Sequence, residues 1–239
     1  MTIILAASLL PPLYLLWRVY KSDSIEKEPM GLLVTIFLCG MLSTLPAGIL
    51  EGIGQNVLAA FINPGADASS FGGTVTVFNL LFYFIVVGGA EELVKYWAMR
   101  IPTWKNPEFD YVFDGVVYGV TASLGFAALE NILYVLDSGL VTAGVRAWTA
   151  IPLHCITGIF MGHYYGIAKV ADVYHDYAVR GRMLRRSILI PVLIHGAYDF
   201  IATSENEILV CLFFVYIVLL DIAAIRSLRR YSKNDVRMY

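Results

Sequence analysis

The sequence predicts an all-α fold: a polytopic membrane bundle of about seven transmembrane helices. The composition is the first observation, since the 239 residues are 58% hydrophobic and 15% charged, with a mean hydropathy of +0.68. Soluble domains are about a quarter charged. Apolar runs close to 20 residues long are the second observation, and the confinement of Lys and Arg to alternate loops is the third. A single transmembrane domain over residues 1–239 accounts for all three.

Seven apolar runs are long enough to cross a bilayer. They cover residues 2–20, 30–50, 76–100, 113–136, 147–168, 187–203 and 208–225. The first run has no basic residue before it, and Arg18 and Lys21 follow it. We therefore interpret it as a retained anchor rather than a signal peptide.

The connections between these runs differ in character. The second run ends at Leu50, and a loop with turn residues is predicted over residues 51–73. The fifth and sixth runs are joined by a basic loop over residues 169–186, and the seventh is followed by a basic tail. Both basic segments are typical of surfaces that face anionic lipid headgroups. Neither contains a nucleic-acid binding motif, so no nucleic-acid partner is predicted.

The distribution of basic residues predicts the orientation. Sixteen Lys and Arg residues lie in four clusters, at 18–27, 95–105, 169–186 and 226–237, and the intervening loops contain only Arg146. Because basic loops stay in the cytoplasm, the N-terminus is expected outside and the C-terminus inside.

Several ionisable residues lie inside or directly after these apolar runs, where a charge costs at least about 2.5 kcal/mol. They are Glu91, Glu92, Lys95, Glu130, His154, His195 and Asp199. A chain that keeps so many charges at bilayer depth is predicted to use them. A catalytic site or an ion-binding site is the expected use.

Helical spacing groups some of these residues. Glu91 and Lys95 are four residues apart and Glu92 and Lys95 three, so the lysine can pair with both carboxylates. His195 and Asp199 are also four apart, the spacing at which a carboxylate orients an imidazole. Purely structural alternatives remain open for both groups: a salt-bridged helix end and a structural His-Asp pair.

The remaining candidates come from the fourth and fifth runs. Glu130 has no nearby Lys or Arg in sequence, so it needs a partner from another helix, unless it is a protonated packing residue. His154 and His163 are nine residues apart and point to opposite faces of a helix. We assign His154 to the site because it lies on the outer side with Glu130. At about 1.5 Å per residue, the levels of Glu91, Glu130, His154 and His195 overlap within side-chain reach.

The order of these motifs resembles the PrsW family of intramembrane proteases. The matching residues are Glu91-Glu92-x-x-Lys95, then Phe126-x-x-x-Glu130-Asn131, then His154, then His195-x-x-x-Asp199. That family is related to the CAAX prenyl endopeptidases and the bacteriocin-processing membrane proteases. The resemblance covers about residues 76–201. Lysine in the first motif, glutamate in the second and aspartate in the last differ from the CAAX endopeptidases, which argues against prenylated substrates.

The resemblance implies a multi-pass protease of the bacterial cell membrane. Its expected substrate is a single-pass membrane protein, an anti-sigma factor cut first on the extracytoplasmic side so that a sigma factor is later released in a stress response. No serine or cysteine lies in an evident nucleophile motif, and Cys39, Cys155 and Cys211 are isolated in apolar runs. Water is therefore the expected nucleophile, and the cysteines form no recognisable disulfide or thiolate metal site.

Two mechanisms fit these residues. In the first, Glu130, His154 and His195 hold Zn2+, Glu91 or Glu92 is the general base, and Asp199 supports His195.

In the second mechanism a glutamate and a histidine activate water without a metal, while His195 and Asp199 bind the oxyanion. Lys95 neutralises a glutamate in either mechanism. A membrane transporter or ion channel that uses the buried groups as a proton or cation path is the alternative function.

Overall fold

The computed structural model describes residues 2–62, 77–204 and 206–239, and these fold into a bundle of helices. The helices are α1 (Thr2–Ser22), α2 (Met30–Phe61), α3 (Val77–Leu81), α4 (Gly88–Thr103), α5 (Asp114–Ser138), α6 (Leu140–Trp148), α7 (Ala150–Val173), α8 (Tyr177–Ala202) and α9 (Glu207–Lys233). A π-helical segment, Phe82–Val87, joins α3 to α4, so that these three pieces form one continuous rod. The described residues contain no β-strand, which confirms the predicted all-α class.

Five of the helical segments are long and apolar enough to cross a membrane: Thr2–Ser22, Met30–Phe61, Val77–Thr103, Asp114–Ser138 and Glu207–Lys233. Helices α7 and α8 have 24 and 26 residues, long enough for a span, but they are not among these five. Helix α7 carries His154, and α8 carries His195, Asp199 and the arginines of its first turns. The multi-pass membrane bundle is thus confirmed, while the orientation stays a prediction.

Several predicted boundaries were wrong. Helix α2 continues to Phe61, so Glu51 lies within a helix and not at the start of a loop. The rest of the predicted 51–73 loop, from residue 63 onward, lies outside the described residues. The basic 169–186 segment is mostly helical, because α7 ends at Val173 and α8 begins at Tyr177. The short helix α6 was not predicted.

Helix α5 forms the centre of the bundle. Within the 18-residue apolar stretch of α5 that could span the membrane, 78% of the residues are buried inside the protein, against 6% in the corresponding stretch of α9. Helix α5 packs against α1, α2 and α7. A central α5 places Glu130 in the interior, where other helices supply its partners.

Glycines allow α5 and α7 to approach closely. Gly115 and Gly119 of α5 face Gly158 and Gly162 of α7, and a Cβ added at Gly162 would lie 2.0 Å from the Gly115 carbonyl oxygen. Small residues four apart on facing helices are a common device for tight helix contacts in membranes. This contact fixes α7 against α5 one turn below His154.

A polar cluster closes the end of the bundle at which α1 joins α2. Glu28, in the connection between these helices, accepts a 2.5 Å hydrogen bond from the Tyr118 hydroxyl of α5. The C-terminal tail docks beside it, where Asp235 accepts from the Phe113 backbone N–H and Met238 is 1% exposed. Burial raises the pKa of Glu28 to about 7, although the Tyr118 hydrogen bond opposes the shift.

Glu28→Gln is expected to change how the stability of the protein depends on pH. The raised pKa means that the folded state holds a proton that the unfolded chain, with a pKa near 4.5, releases. Stability from protonated Glu28 is therefore complete below that unfolded value and is lost as pH rises through about 7, on the order of 2 kcal/mol. Thermal unfolding in detergent between about pH 5 and pH 8 measures this slope. A glutamine side chain cannot ionise, so the variant should have a shallower slope, whereas exposed Glu26→Gln should keep the wild-type slope. Identical profiles for all three proteins would contradict the assignment.

Candidate active site

Lys95 is the centre of a buried polar network. Its side chain is 0% exposed, and its Nζ donates to Glu91 Oε2, Glu92 Oε1 and His154 Nδ1, each at 2.9 Å. The ammonium also lies 4.2 Å from the centre of the Phe126 ring. Three acceptors thus use all three N–H bonds of the ammonium, which is the arrangement that a buried cation requires.

The contact with Lys95 determines the tautomer of His154. An ammonium only donates, so Nδ1 must accept, and the proton of the neutral ring is then on Nε2. Nε2 lies 3.0 Å from Glu130 Oε2 and donates to it. The same Glu130 oxygen accepts from Arg146 Nη2 at 2.5 Å, and Arg146 Nε donates to Asn131 Oδ1 at 3.0 Å. A continuous chain of hydrogen bonds therefore runs from α4 through α7 and α5 to α6.

His195 brings α8 into the same network. Its Nδ1 lies 2.7 Å from Glu92 Oε1, and its Nε2 lies 3.3 Å from Asp199 Oδ2 and 3.6 Å from Glu91 Oε2. The His154 and His195 rings are 5.2 Å apart, centre to centre, and nearly perpendicular. Glu92 thus holds one nitrogen of His195, and the other nitrogen faces two further carboxylates.

A close contact between two backbones positions these groups. A Cβ added at Gly88 would lie 3.1 Å from the Val192 carbonyl oxygen, and one at Gly196 would lie 2.7 Å from Phe84 Cα. Phe84 belongs to the π-helical segment, and such segments occur frequently at functional sites. Gly88 precedes Glu91 by three residues and Gly196 follows His195 directly, so the contact sets the distance between the two side chains.

The network opens onto a cavity of about 450 Å³. Its wall includes Glu91, His154, His195 and Asp199. Glu92 is not part of this wall, and its side chain is 0% exposed. The two adjacent glutamates, which sequence alone did not distinguish, therefore differ: Glu91 faces the cavity and Glu92 lies behind it.

One group of side chains in the described part of the chain has the composition of a metal site. Ligand atoms of Glu91, His154 and His195 lie within 4.8 Å of one another, and all three residues are buried. The predicted set contained Glu130 in place of Glu91. Glu130 Oε2 instead contacts Arg146 and His154.

All seven predicted site residues meet around this cavity and network. His163 does not: its ring stacks on Tyr231 of α9 at 3.5 Å between ring centres, in a separate cavity lined by Val112 and Arg230. Two buried oxygens of the site, Glu92 Oε2 and Asp199 Oδ2, have no hydrogen-bond partner among the described residues.

Sequence reasoning missed two charged residues of the site. Arg146 lies on α6 and reaches the cavity, with its side chain 13% exposed. The sequence signal for Arg146 was that it is the one basic residue of the loops predicted to lie outside. Glu51 of α2 lines the cavity as well, but it follows an apolar run directly and was interpreted as the start of a loop.

The fold and the site define a multi-pass membrane protein with a Glu-Lys-His network buried inside the helical bundle. The profile of the PrsW family of intramembrane metalloproteases matches residues 28–224, and the chain belongs to this family. Proteins named Protease PrsW are similar over most of the chain. The protein from Oceanobacillus iheyensis is 33% identical over 98% of both chains, and that from Bacillus subtilis is 32% identical over 85% of this chain and 84% of its own. The protein from Geobacillus kaustophilus is 34% identical over 85% and 81%.

No solved protein structure matches the chain. The family nevertheless identifies the protein as a multi-pass bacterial membrane protease, which acts on a protein substrate. A protease is thus supported over the transporter or channel alternative.

Proposed function

We propose that this protein is an intramembrane endopeptidase that cuts a single-pass, membrane-anchored protein on the extracytoplasmic side, with water as the nucleophile. One observation carries the proposal: Glu91, His154 and His195 meet within 4.8 Å on the wall of a cavity formed by helices that cross the membrane. Peptide hydrolysis needs an activated water and a donor for the oxyanion, and carboxylates and imidazoles supply both.

The geometry supports different roles for the two glutamates. Glu91 faces the cavity and, in the metal-free version, is the proposed base that takes a proton from water. Glu92 is the proposed orienting group of His195, because its Oε1 lies 2.7 Å from Nδ1. The Nε2 of His195 then faces the cavity beside Asp199, and in the protonated imidazolium it donates a hydrogen bond to the oxyanion.

Zinc is the proposed cofactor, and the donors fit it in kind. Two imidazoles and a carboxylate are ordinary zinc ligands, so Glu91, His154 and His195 would hold the ion. A zinc ion supplies a more acidic water and stabilises negative charge. In this version Asp199 and Glu130 remain as cavity carboxylates for proton transfer.

Lys95 imposes a condition on the zinc version. A neutral imidazole has one lone pair, and that of His154 accepts from Lys95 Nζ at 2.9 Å. His154 therefore becomes a ligand only if Lys95 withdraws from Nδ1. Without that movement the arrangement favours the metal-free version, in which Glu91 activates the water and His195 donates to the oxyanion.

The proposed substrate is an anti-sigma factor, as the family resemblance implies. A membrane-anchored substrate is consistent with a cavity at bilayer depth that Tyr83 and Tyr134 also line. Cleavage on the extracytoplasmic side follows from the predicted orientation, in which the end of the bundle with α6 lies outside.

Metal analysis of purified protein tests the two versions. If zinc is held by Glu91, His154 and His195, the protein should contain about one zinc ion per chain. Glu91→Gln and the double variant His154→Ala/His195→Ala should lose the ion, and Glu130→Gln should keep it. A strong chelator should inactivate the enzyme after a long incubation, and added Zn2+ should restore it. Full activity of protein shown to be metal-free would overturn the zinc version.

A further inference from the structure

Glu51 lies on the face of α2 that lines the cavity. The four residues of this face, Thr44, Ala47, Gly48 and Glu51, follow helical spacing, and all four line the cavity wall. A Cβ added at Gly48 would meet no atom within 4 Å, so there is open space one turn from Glu51. A side chain that enters the cavity therefore has room beside the Glu51 carboxylate.

Glu51 differs from the other cavity carboxylates in having no partner among the described residues. Lys95 is paired with Glu91 and Glu92, and Arg146 is paired with Glu130. The segment between Lys27 and Lys95 contains no Lys, Arg or His, so residues 63–76 have no basic side chain to offer either.

The surroundings of Glu51 are net negative. Glu51 lines the cavity together with Glu91, Glu130 and Asp199. In and beside the cavity five carboxylates, those of Glu51, Glu91, Glu92, Glu130 and Asp199, stand against two permanent cations, those of Lys95 and Arg146. A carboxylate at this depth is costly unless it meets a cation or a hydrogen-bond donor.

We propose that Glu51 is a specificity residue, which binds a basic side chain of the substrate, Lys or Arg, close to the bond that is cut. This inference rests on the proposed protease function. The positive charge of the substrate side chain neutralises Glu51, the one cavity carboxylate that has no partner among the described residues. The net negative charge of the cavity also attracts this side chain. Acidic residues at the same substrate position meet repulsion.

Cleavage profiling tests this proposal. Full-length protein in proteoliposomes is given a library of single-pass peptides in which each position around the outer membrane boundary carries Lys, Gln or Glu. Mass spectrometry of the products then identifies the cuts. Wild type should cleave peptides with Lys at one fixed position about tenfold better than their Gln counterparts, mainly through KM. Glu51→Gln should reduce this ratio to about one, and Glu51→Asp, which keeps the charge, should retain it.

Two controls separate the inference from the proposed function. Glu207→Gln, a change at an exposed carboxylate of α9, should keep the preference for Lys. The library peptides are also labelled with a fluorophore, and their binding to Glu91→Gln protein measures the preference for Lys without turnover. If Lys peptides bind more tightly than Gln peptides but wild type cleaves neither, the proposed protease function is wrong and the Glu51 subsite stands. Equal binding of Lys and Gln peptides, or an unchanged preference in Glu51→Gln, would overturn the subsite.

Discussion

Glu91→Gln is expected to abolish cleavage of a membrane-anchored substrate, with a loss of about 10²- to 10⁴-fold in kcat. Glutamine keeps the size of the side chain and can still accept from Lys95 at 2.9 Å, but it cannot take a proton or hold a metal ion firmly. Glu92→Gln, His154→Ala and His195→Ala should also be inactive. Cleavage in proteoliposomes, normalised to the amount of inserted protein, measures the effect.

Matched variants distinguish chemistry from folding. His163→Ala removes an imidazole from α7 outside the cavity, where the ring stacks on Tyr231, and should keep most of the activity. Asp199→Asn should be milder than His195→Ala, with a loss of about 10- to 100-fold, because Asp199 supports His195 from 3.3 Å. An active His154→Ala protein together with an inactive His163→Ala protein would show that the faces of α7 were assigned wrongly.

Lys95→Met is expected to destabilise the protein by about 3–5 kcal/mol and to inactivate it. Methionine fills much of the same volume, but it leaves two adjacent carboxylates and His154 Nδ1 buried without the ammonium. Removing one partner of a buried ion pair has this cost because the remaining charge is unpaired. Unfolding in detergent, followed by the loss of helix signal with temperature or denaturant, measures the effect.

A second substitution tests the charge argument. Glu92→Gln in the Lys95→Met background removes one of the two unpaired carboxylates and should recover part of the stability. Lys105→Met, at an exposed position beyond α4, should have little effect. Wild-type stability of Lys95→Met would mean that the ammonium does not neutralise the two glutamates in the folded protein.

Local helical geometry explains why much of the site was predictable. Glu91, Glu92 and Lys95 share one turn of α4, so their pairing depends on residue spacing and not on the rest of the fold. The same holds for His195 and Asp199 of α8. Charges inside apolar runs are rare enough that their presence alone indicated a buried site.

Other features depend on contacts between distant helices. Adjacent residues of a helix point about 100 degrees apart, so only the position of α8 determines that Glu92 meets His195 Nδ1 while Glu91 faces the cavity. The close contact of Gly88 with Gly196 sets that position, and no local pattern specifies which glycines meet.

Glu51 and Arg146 illustrate why a charge at the end of an apolar run is ambiguous. Such a charge is typical of the membrane boundary, and both residues were assigned to predicted loops beside an apolar run. Whether the charge instead turns into the protein depends on a cavity that several helices form together. The sequence by itself determined the class of protein, the apolar spans and the pairs within one helix, since these depend on composition and on spacing along the chain. Only the tertiary structure decided which carboxylate faces the cavity, which partner Glu130 has and where Glu51 lies, because each depends on atoms brought together from separate helices.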